Sequence, residues 1–387
     1  MKKVLVVTGT RAEYGLLFWT IKALSTSSNF DLCLCVTGMH LSPEFGLTYK
    51  MIEDDGFKIH EKVEMLMSSD TSVGISKSVG LGIISFSEVY ERVKPDLILV
   101  LGDRFEIFAA VSAAMIARIP VAHCHGGEST EGLIDEPIRH SITKMAHIHF
   151  AATEKYKNRI IQLGENPKYV YNVGGLGIEN INRLNLLSKH DLELSLNFKF
   201  SSLNFLITFH PVTLEKFSAS IQFSNLLAVL NQYPSANLIF TKSNSDTDGR
   251  IINNMIDEFV SENKNRAISF FSMGQIRYLS TLQYVDLVIG NSSSGLLEVP
   301  SFNIPTIDIG DRQKGRIKAE SVISCNEGIK EIKAAFELGL SNSFIEKCNS
   351  VKNPYDQGNS SEHILTVLKN LKFENLIKKT FFDFESL

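Results

Sequence analysis

No stretch of this 387-residue chain approaches the ~18 consecutive apolar residues that a membrane span needs, so no membrane partner is expected. The basic start at Met1 leads into VLVV, which is too short for a signal-peptide core; it reads as a first β-strand, and the expected compartment is the cytoplasm. Cysteine is scarce as well. The five present (Cys33, Cys35, Cys124, Cys325, Cys348) form no CxxC pair and no zinc-type spacing with histidine, which argues against a disulfide framework or a structural zinc. They read as small apolar core residues in a reducing compartment. Positive charge is not in excess: 39 Lys and Arg stand against 43 Asp and Glu, a net −4, so bulk electrostatics offers nucleic acid no hold. Short repeats, low-complexity tracts and a GxGxxG fingerprint are all missing.

What remains is a globular balance, 44% hydrophobic and 21% charged, in a chain too long for one ordinary core. Short β-branched runs alternate with helical-period segments. Strands are expected at 4–8, 31–37, 97–101, 121–124, 148–152 and 169–173, then at 204–208, 237–241, 268–271, 287–290, 306–309 and 321–323. Helices are expected at 13–25, 73–93, 105–117, 136–145 and 360–379. The alternation predicts an α/β chain whose parallel sheets are flanked by helices. GGLG at 174–177 offers flexible backbone for a boundary, and 180–202 is a looser stretch rich in Asn, Ser and Leu. The expected organisation is a first domain at 1–175, a second at 176–360 and a terminal helix at 361–387.

Polar clusters follow the expected strands, where doubly wound sheets bind ligands. Thr8 to Arg11 could present amides and a guanidinium to phosphate, or could be a capped turn. After DLILVL come Gly102, Asp103, Arg104 and Glu106; Asp103 reads either as an N-cap or as a proton-carrying carboxylate. HCHGGE places His123, His125 and Glu128 after the next strand, and DEPIRH adds Asp135, Arg139 and His140. Acid–base chemistry fits this density better than capping does. Zinc or manganese is an alternative, although His123 and His125 at i, i+2 share a face only while the strand lasts. In the second half, His210 ends NFLITF, and GNSSSG follows VDLVI with Glu298 one turn further on. Three serines between glycines let amides and hydroxyls approach a diphosphate closely, and a carboxylate at Glu298 could accept ribose hydroxyls. Arg312 and Arg316 would supply counter-charge.

In this order, GTRAEYG, LGDRFE, HGGE, IDEPIRHSITKMAHIHF, FHPVT and GNSSSGLLEVPSFNIPTIDIGDRQKGR resemble the hydrolysing UDP-N-acetylglucosamine 2-epimerase family, over nearly the whole chain to about residue 320. The resemblance implies a GT-B-like fold of two Rossmann-like domains with a cleft between them, the last helix returning to the first domain. It implies a homodimer or tetramer and a reaction that uses no metal or nicotinamide cofactor. UDP would leave by elimination across C1–C2, and water would then add to give free N-acetylmannosamine. By motif, Asp103 and Asp135 match the catalytic carboxylates, joined by His125, Glu128 and His210. The substrate-binding set is Arg11, Arg104, Arg139, His140, Asn244, Ser292, Ser293, Ser294, Glu298 and Arg312. One departure stands out: several relatives read HxEGG, whereas this chain has His125 in place of the Glu. Either the histidine moves the proton itself, or it marks a subgroup acting on another UDP sugar, such as UDP-2,4-diacetamido-2,4,6-trideoxyglucose. The rival enzyme readings are a non-hydrolysing epimerase and a retaining glycosyltransferase of the same fold; the non-enzymatic one is a nucleotide-sugar sensor.

Overall fold

The computed structural model describes residues 1–67, 71–129, 134–211, 219–243 and 249–383. The chain forms two compact units, Met1–Asn180 with Gln357–Leu387, and Ile181–Asp356. The first holds β1 (Lys2–Thr8), β2 (Phe30–Thr37), β3 (Glu61–Val63), β4 (Leu97–Leu101), β5 (Val121–Cys124), β6 (Ile148–Ala151) and β7 (Val170–Asn172). All pairs are parallel, in the order β3-β2-β1-β4-β5-β6-β7, so the winding reverses between β1 and β4. Strands covered by helices on both faces must be apolar throughout. Val4 and Val6 accordingly join Leu17, Ile21 and Leu24 of the helix Arg11–Thr26 in one layer, while Leu5 and Val7 join Phe86 and Ile107 in the other.

The second unit repeats the plan with β8 (Asn204–Thr208), β9 (Asn237–Thr241), β10 (Ala267–Phe270), β11 (Leu287–Gly290), β12 (Thr306–Ile309) and β13 (Val322–Cys325). Its order is β10-β9-β8-β11-β12-β13, again all parallel, reversing between β8 and β11. Phe205 and Ile207 face Phe223 and Phe336, whereas Leu206 faces Leu192 and Leu279.

Most strand positions agree with the sequence reading to within a residue or two. β3 went unread because EKV is a three-residue edge strand with a single buried side chain, too short for any period. The loose stretch after residue 180 is not structureless: Ser188 caps the helix Lys189–Leu196, which buries Leu192 and Leu196. The terminal helix is a correction. It runs Ser360–Asn370 rather than to 379, because the Lys2 ammonium takes the Leu371 carbonyl at 2.5 Å and the Leu368 carbonyl at 3.1 Å, closing the helix end. Its start is tied by Glu179, which accepts the Ser361 N–H at 2.8 Å and hydroxyl at 2.6 Å. Ile364 and Leu368 are buried with Leu17 and Ile21 of the first unit.

Beyond that helix the tail is pinned by charge. Lys379 Nζ donates to the Lys144 and Ala146 carbonyls at 2.7 and 2.6 Å, capping the helix Asp135–Met145, and stands 2.6 Å from buried Glu165. Lys144 lies 2.6 Å and His149 3.0 Å from the same carboxylate. Against the upward push of burial, His149 and the two lysines hold Glu165 down to about 2.

Candidate functional site

In the first unit the polar groups gather where the strand order reverses. Gly9 follows β1, and the Thr10 hydroxyl accepts the Glu13 N–H at 3.2 Å while Glu13 Oε2 accepts the Gly9 N–H at 2.7 Å. This reciprocal cap starts the helix Arg11–Thr26, leaving Arg11 exposed at its first position and Glu13 buried. Burial, and then the charge of Glu106, push the Glu13 carboxyl up to about 8. After β4, Gly102 turns the chain at φ 84°. The capping position of the next helix is Arg104, so Asp103 is no N-cap; it pairs instead with Arg139 Nη2. Arg104 Nε donates at 2.7 Å to Glu106, whose carboxylate is fully buried. Gly9 makes the room, since a Cβ there would stand 2.6 Å from Glu106 Cγ.

Asp135 opens the helix Asp135–Met145, and burial raises its carboxyl above the ordinary range, with the Arg104 charge opposing. One turn on, buried Arg139 reaches Asp103 with one nitrogen and stands 3.7 Å from Glu136 with the other. Glu136 Oε1 takes the Ser129 hydroxyl at 3.1 Å and faces His140 Nε2 at 3.2 Å. The structure thus gathers these groups in two charged clusters: Asp103, Arg139, Glu136 and His140 in one, and Arg104 with Glu106, its charge felt by Asp135, in the other.

The two histidines of HCHGG part company at the end of β5. His123 is buried, with Nε2 2.8 Å from the Gly102 carbonyl and Nδ1 3.3 Å from the Thr143 hydroxyl; burial lowers it to about 3. It is a neutral donor that ties β5 to the β4 exit. His125 leaves the strand at φ 62° with its N–H on the Phe150 carbonyl at 2.9 Å. Its Nε2 accepts the Leu176 N–H at 3.2 Å, which places the ring proton on Nδ1, 3.2 Å from Glu128 Oε1. The two rings therefore do not converge on one ion. Among the described residues no group of three or more His, Cys, Asp or Glu is gathered to hold a metal.

In the second unit Gly290 ends β11 at φ 137°, and a Cβ there would lie 1.8 Å from the Thr208 carbonyl oxygen; only glycine lets β11 leave the sheet this close to β8. Buried Asn291 then clamps the exit of β8: Oδ1 accepts the His210 N–H and Nδ2 donates to the His210 carbonyl, both at 2.8 Å. The Asn291 carbonyl takes Arg312 Nη1 at 3.0 Å and Gln313 Nε2 at 2.8 Å. His210 Nδ1 lies 3.3 Å from the Ser243 hydroxyl, and burial with the Arg312 charge lowers the ring to about 4. Ser292, Ser293 and Ser294 follow, all partly exposed, with Ser293 just before the short turn Ser294–Leu297 and its hydroxyl making no capping bond to that turn. The Ser294 hydroxyl donates to Glu298 and lies 2.6 Å from that of Tyr278; burial raises the Glu298 carboxyl. Asn244 lies outside the described residues.

Four participants were given no role from the sequence. Glu13 and Glu106 looked like helix-start residues, and the Thr10–Glu13 spacing was the signal that Glu13 turns back on the strand exit. The double bond of Asn291 to the His210 backbone has no local signal, because its partner is 81 residues away. Tyr278 sits in the helix Gly274–Leu282, with its ring packed against the core.

Residues 22–369 match the family described as UDP-N-acetylglucosamine 2-epimerase. The chain is 41% identical over 383 residues to the GDP/UDP-N,N'-diacetylbacillosamine 2-epimerase (hydrolyzing) of Campylobacter jejuni, covering 99% of each. It is 40% identical over 388 residues to the polysialic acid biosynthesis protein P7 of Escherichia coli, covering 99% of this chain and 98% of that protein. The crystal structure of a UDP-GlcNAc 2-epimerase from Neisseria meningitidis, at 22% identity, matches with a TM-score of 0.81 over 95% of this chain and 100% of that one, which establishes the GT-B-like fold. With two reversing parallel sheets and a match of this length along the sequence, the chain belongs to the UDP-N-acetylglucosamine 2-epimerase family.

Proposed function

We propose that the chain is a hydrolysing 2-epimerase that converts UDP-N-acetylglucosamine to UDP and free N-acetylmannosamine. The observation that carries this reading is Asp135, a carboxyl that burial favours in its protonated form, one helical turn from buried Arg139, which pairs with half-buried Asp103. Elimination followed by hydration needs such a combination. A base takes the C2 proton as the C1–O bond to UDP breaks, leaving a C1=C2 double bond; water oxygen then adds at C1, and C2 receives a proton from the opposite face. Asp103 and Asp135 divide the two proton transfers. The sequence is redox-neutral and calls for no hydride carrier.

Glu128 addresses the sugar. His125, 3.2 Å from Glu128, does not carry the C2 proton, because its Nε2 lone pair already accepts the Leu176 N–H. The second unit receives UDP: the serine turn 292–294 and Arg312 meet the diphosphate, Glu298 meets the ribose, and neutral His210 donates an N–H as negative charge develops on the leaving group. Arg11, Arg104, His140 and Asn244 complete the binding set.

A second reading keeps the chemistry and changes the sugar to UDP-2,4-diacetamido-2,4,6-trideoxyglucose, supported by the name of the 41%-identical Campylobacter relative. The test is incubation with each UDP sugar in D2O, followed by NMR. Free UDP with N-acetylmannosamine deuterated at C2 supports the first reading. Turnover of the diacetamido sugar alone transfers the assignment to the second, and a UDP-linked epimer without release of UDP refutes hydrolysis.

A further inference from the structure

We propose that Tyr278 and Ser294 form a directed hydrogen-bond relay that orients Glu298 for the ribose 2′-hydroxyl, making Tyr278 a positioning residue for ribonucleotide over deoxyribonucleotide binding. The inference rests on the assignment of Glu298 to the ribose. Direction follows from donor counting. Glu298 as a carboxylate only accepts, so the Ser294 proton is committed to its Oε2. The Ser294 oxygen can then only accept from Tyr278, whose hydroxyl lies 2.6 Å away. With Oε2 occupied, Oε1 is left for the ligand.

The relay is anchored at its far end. The Tyr278 ring packs on the core cluster that contains Leu279, Leu282, Val288 and Val299, on the helix Gly274–Leu282. At the near end, Ser294 and Glu298 are one helical turn apart and partly exposed, so a ligand can reach them. A tyrosine ring held on its helix thus fixes a carboxylate that would otherwise sample several rotamers beside solvent. Chained donors of this kind polarise one another, and a ligand hydroxyl that donates to Oε1 extends the chain by one link.

The experiment measures calorimetric affinity of the full chain for UDP and for 2′-deoxy-UDP. The wild type is expected to prefer UDP by about tenfold, the worth of one charge-assisted hydrogen bond. Tyr278→Phe keeps the ring and its packing, and should cut the preference to about threefold while leaving 2′-deoxy-UDP affinity within about twofold. Ser294→Ala should do at least as much. The double variant should match Ser294→Ala alone, because both changes cut one chain. Equal weakening of both nucleotides by Tyr278→Phe would overturn the relay, as would additive losses in the double variant. Glu298→Gln separates the two levels: it should abolish the preference, and a full preference in that variant would refute the ribose assignment and the relay with it.

Discussion

Asn291→Ala tests whether the second unit's site is held by one side chain. The substitution leaves the His210 N–H and carbonyl, both bonded to Asn291 at 2.8 Å, without partners in a buried position. Each such orphan costs ~1–3 kcal/mol, so the expected loss is ~2–6 kcal/mol, a large share of an ordinary domain's stability. Urea unfolding followed by circular dichroism reads it. The only tryptophan, Trp19, lies in the first unit, so its fluorescence supplies an internal reference. The dichroism midpoint should fall while the Trp19 transition moves much less. Asn291→Asp sharpens the test, because a carboxylate accepts the His210 N–H but repels its carbonyl. Only the protonated acid restores both bonds, so its folded pKa is raised; the stability it contributes is complete below the unfolded value near 4 and is lost as pH rises through the folded one. A loss under about 0.5 kcal/mol for Asn291→Ala would refute the clamp.

Glu165→Gln should destabilise the chain at pH 7 by roughly 1–3 kcal/mol, because it removes the carboxylate that Lys144 and Lys379 meet at 2.6 Å. Because the Glu165 pKa is depressed, the contribution is full above about pH 4.5 and disappears as pH falls toward 2, so the variant and wild-type denaturation curves should converge in acid. Arg139→Lys keeps the charge but cannot reach Asp103 and Glu136 together; kcat should fall about 100-fold with KM within a few-fold, and unchanged kcat would remove Arg139 from the machinery. His125→Gln should retain the shape of the pH–rate profile while lowering kcat about tenfold, whereas loss of one limb of the profile would make His125 the base. Gly290→Ala should abolish UDP binding measured by calorimetry, since its Cβ would stand 1.8 Å from the Thr208 carbonyl oxygen.

Much of the site was legible because each polar cluster follows a hydrophobic strand. The runs KKVLVVT, LILVL and LVIG are buried over most or all of their length, so a polar group just beyond them must sit at a carboxyl end. Asp103 and His210 follow such strands directly, whereas Asp135 and Arg139 are named through the family resemblance. Their partners could not be named. Whether Asp103 caps a helix or meets Arg139 depends on a residue 36 positions away, and local spacing carries no information about such a pair.

The sequence by itself determined the alternation of strands and helices, the two-unit plan and the residue types at the strand ends, because hydrophobic period and turn chemistry act over a few residues. Tertiary structure alone decided which histidine is structural and which faces Glu128: a buried strand position neutralises His123, while a positive φ turns His125 toward the Leu176 N–H. It also decided that the terminal α-helix ends at Asn370, where Lys2, at the other end of the chain, supplies the closing donor. Hydrogen bonds and ion pairs depend on distances between segments remote in sequence, and those distances exist only once the sheets have formed.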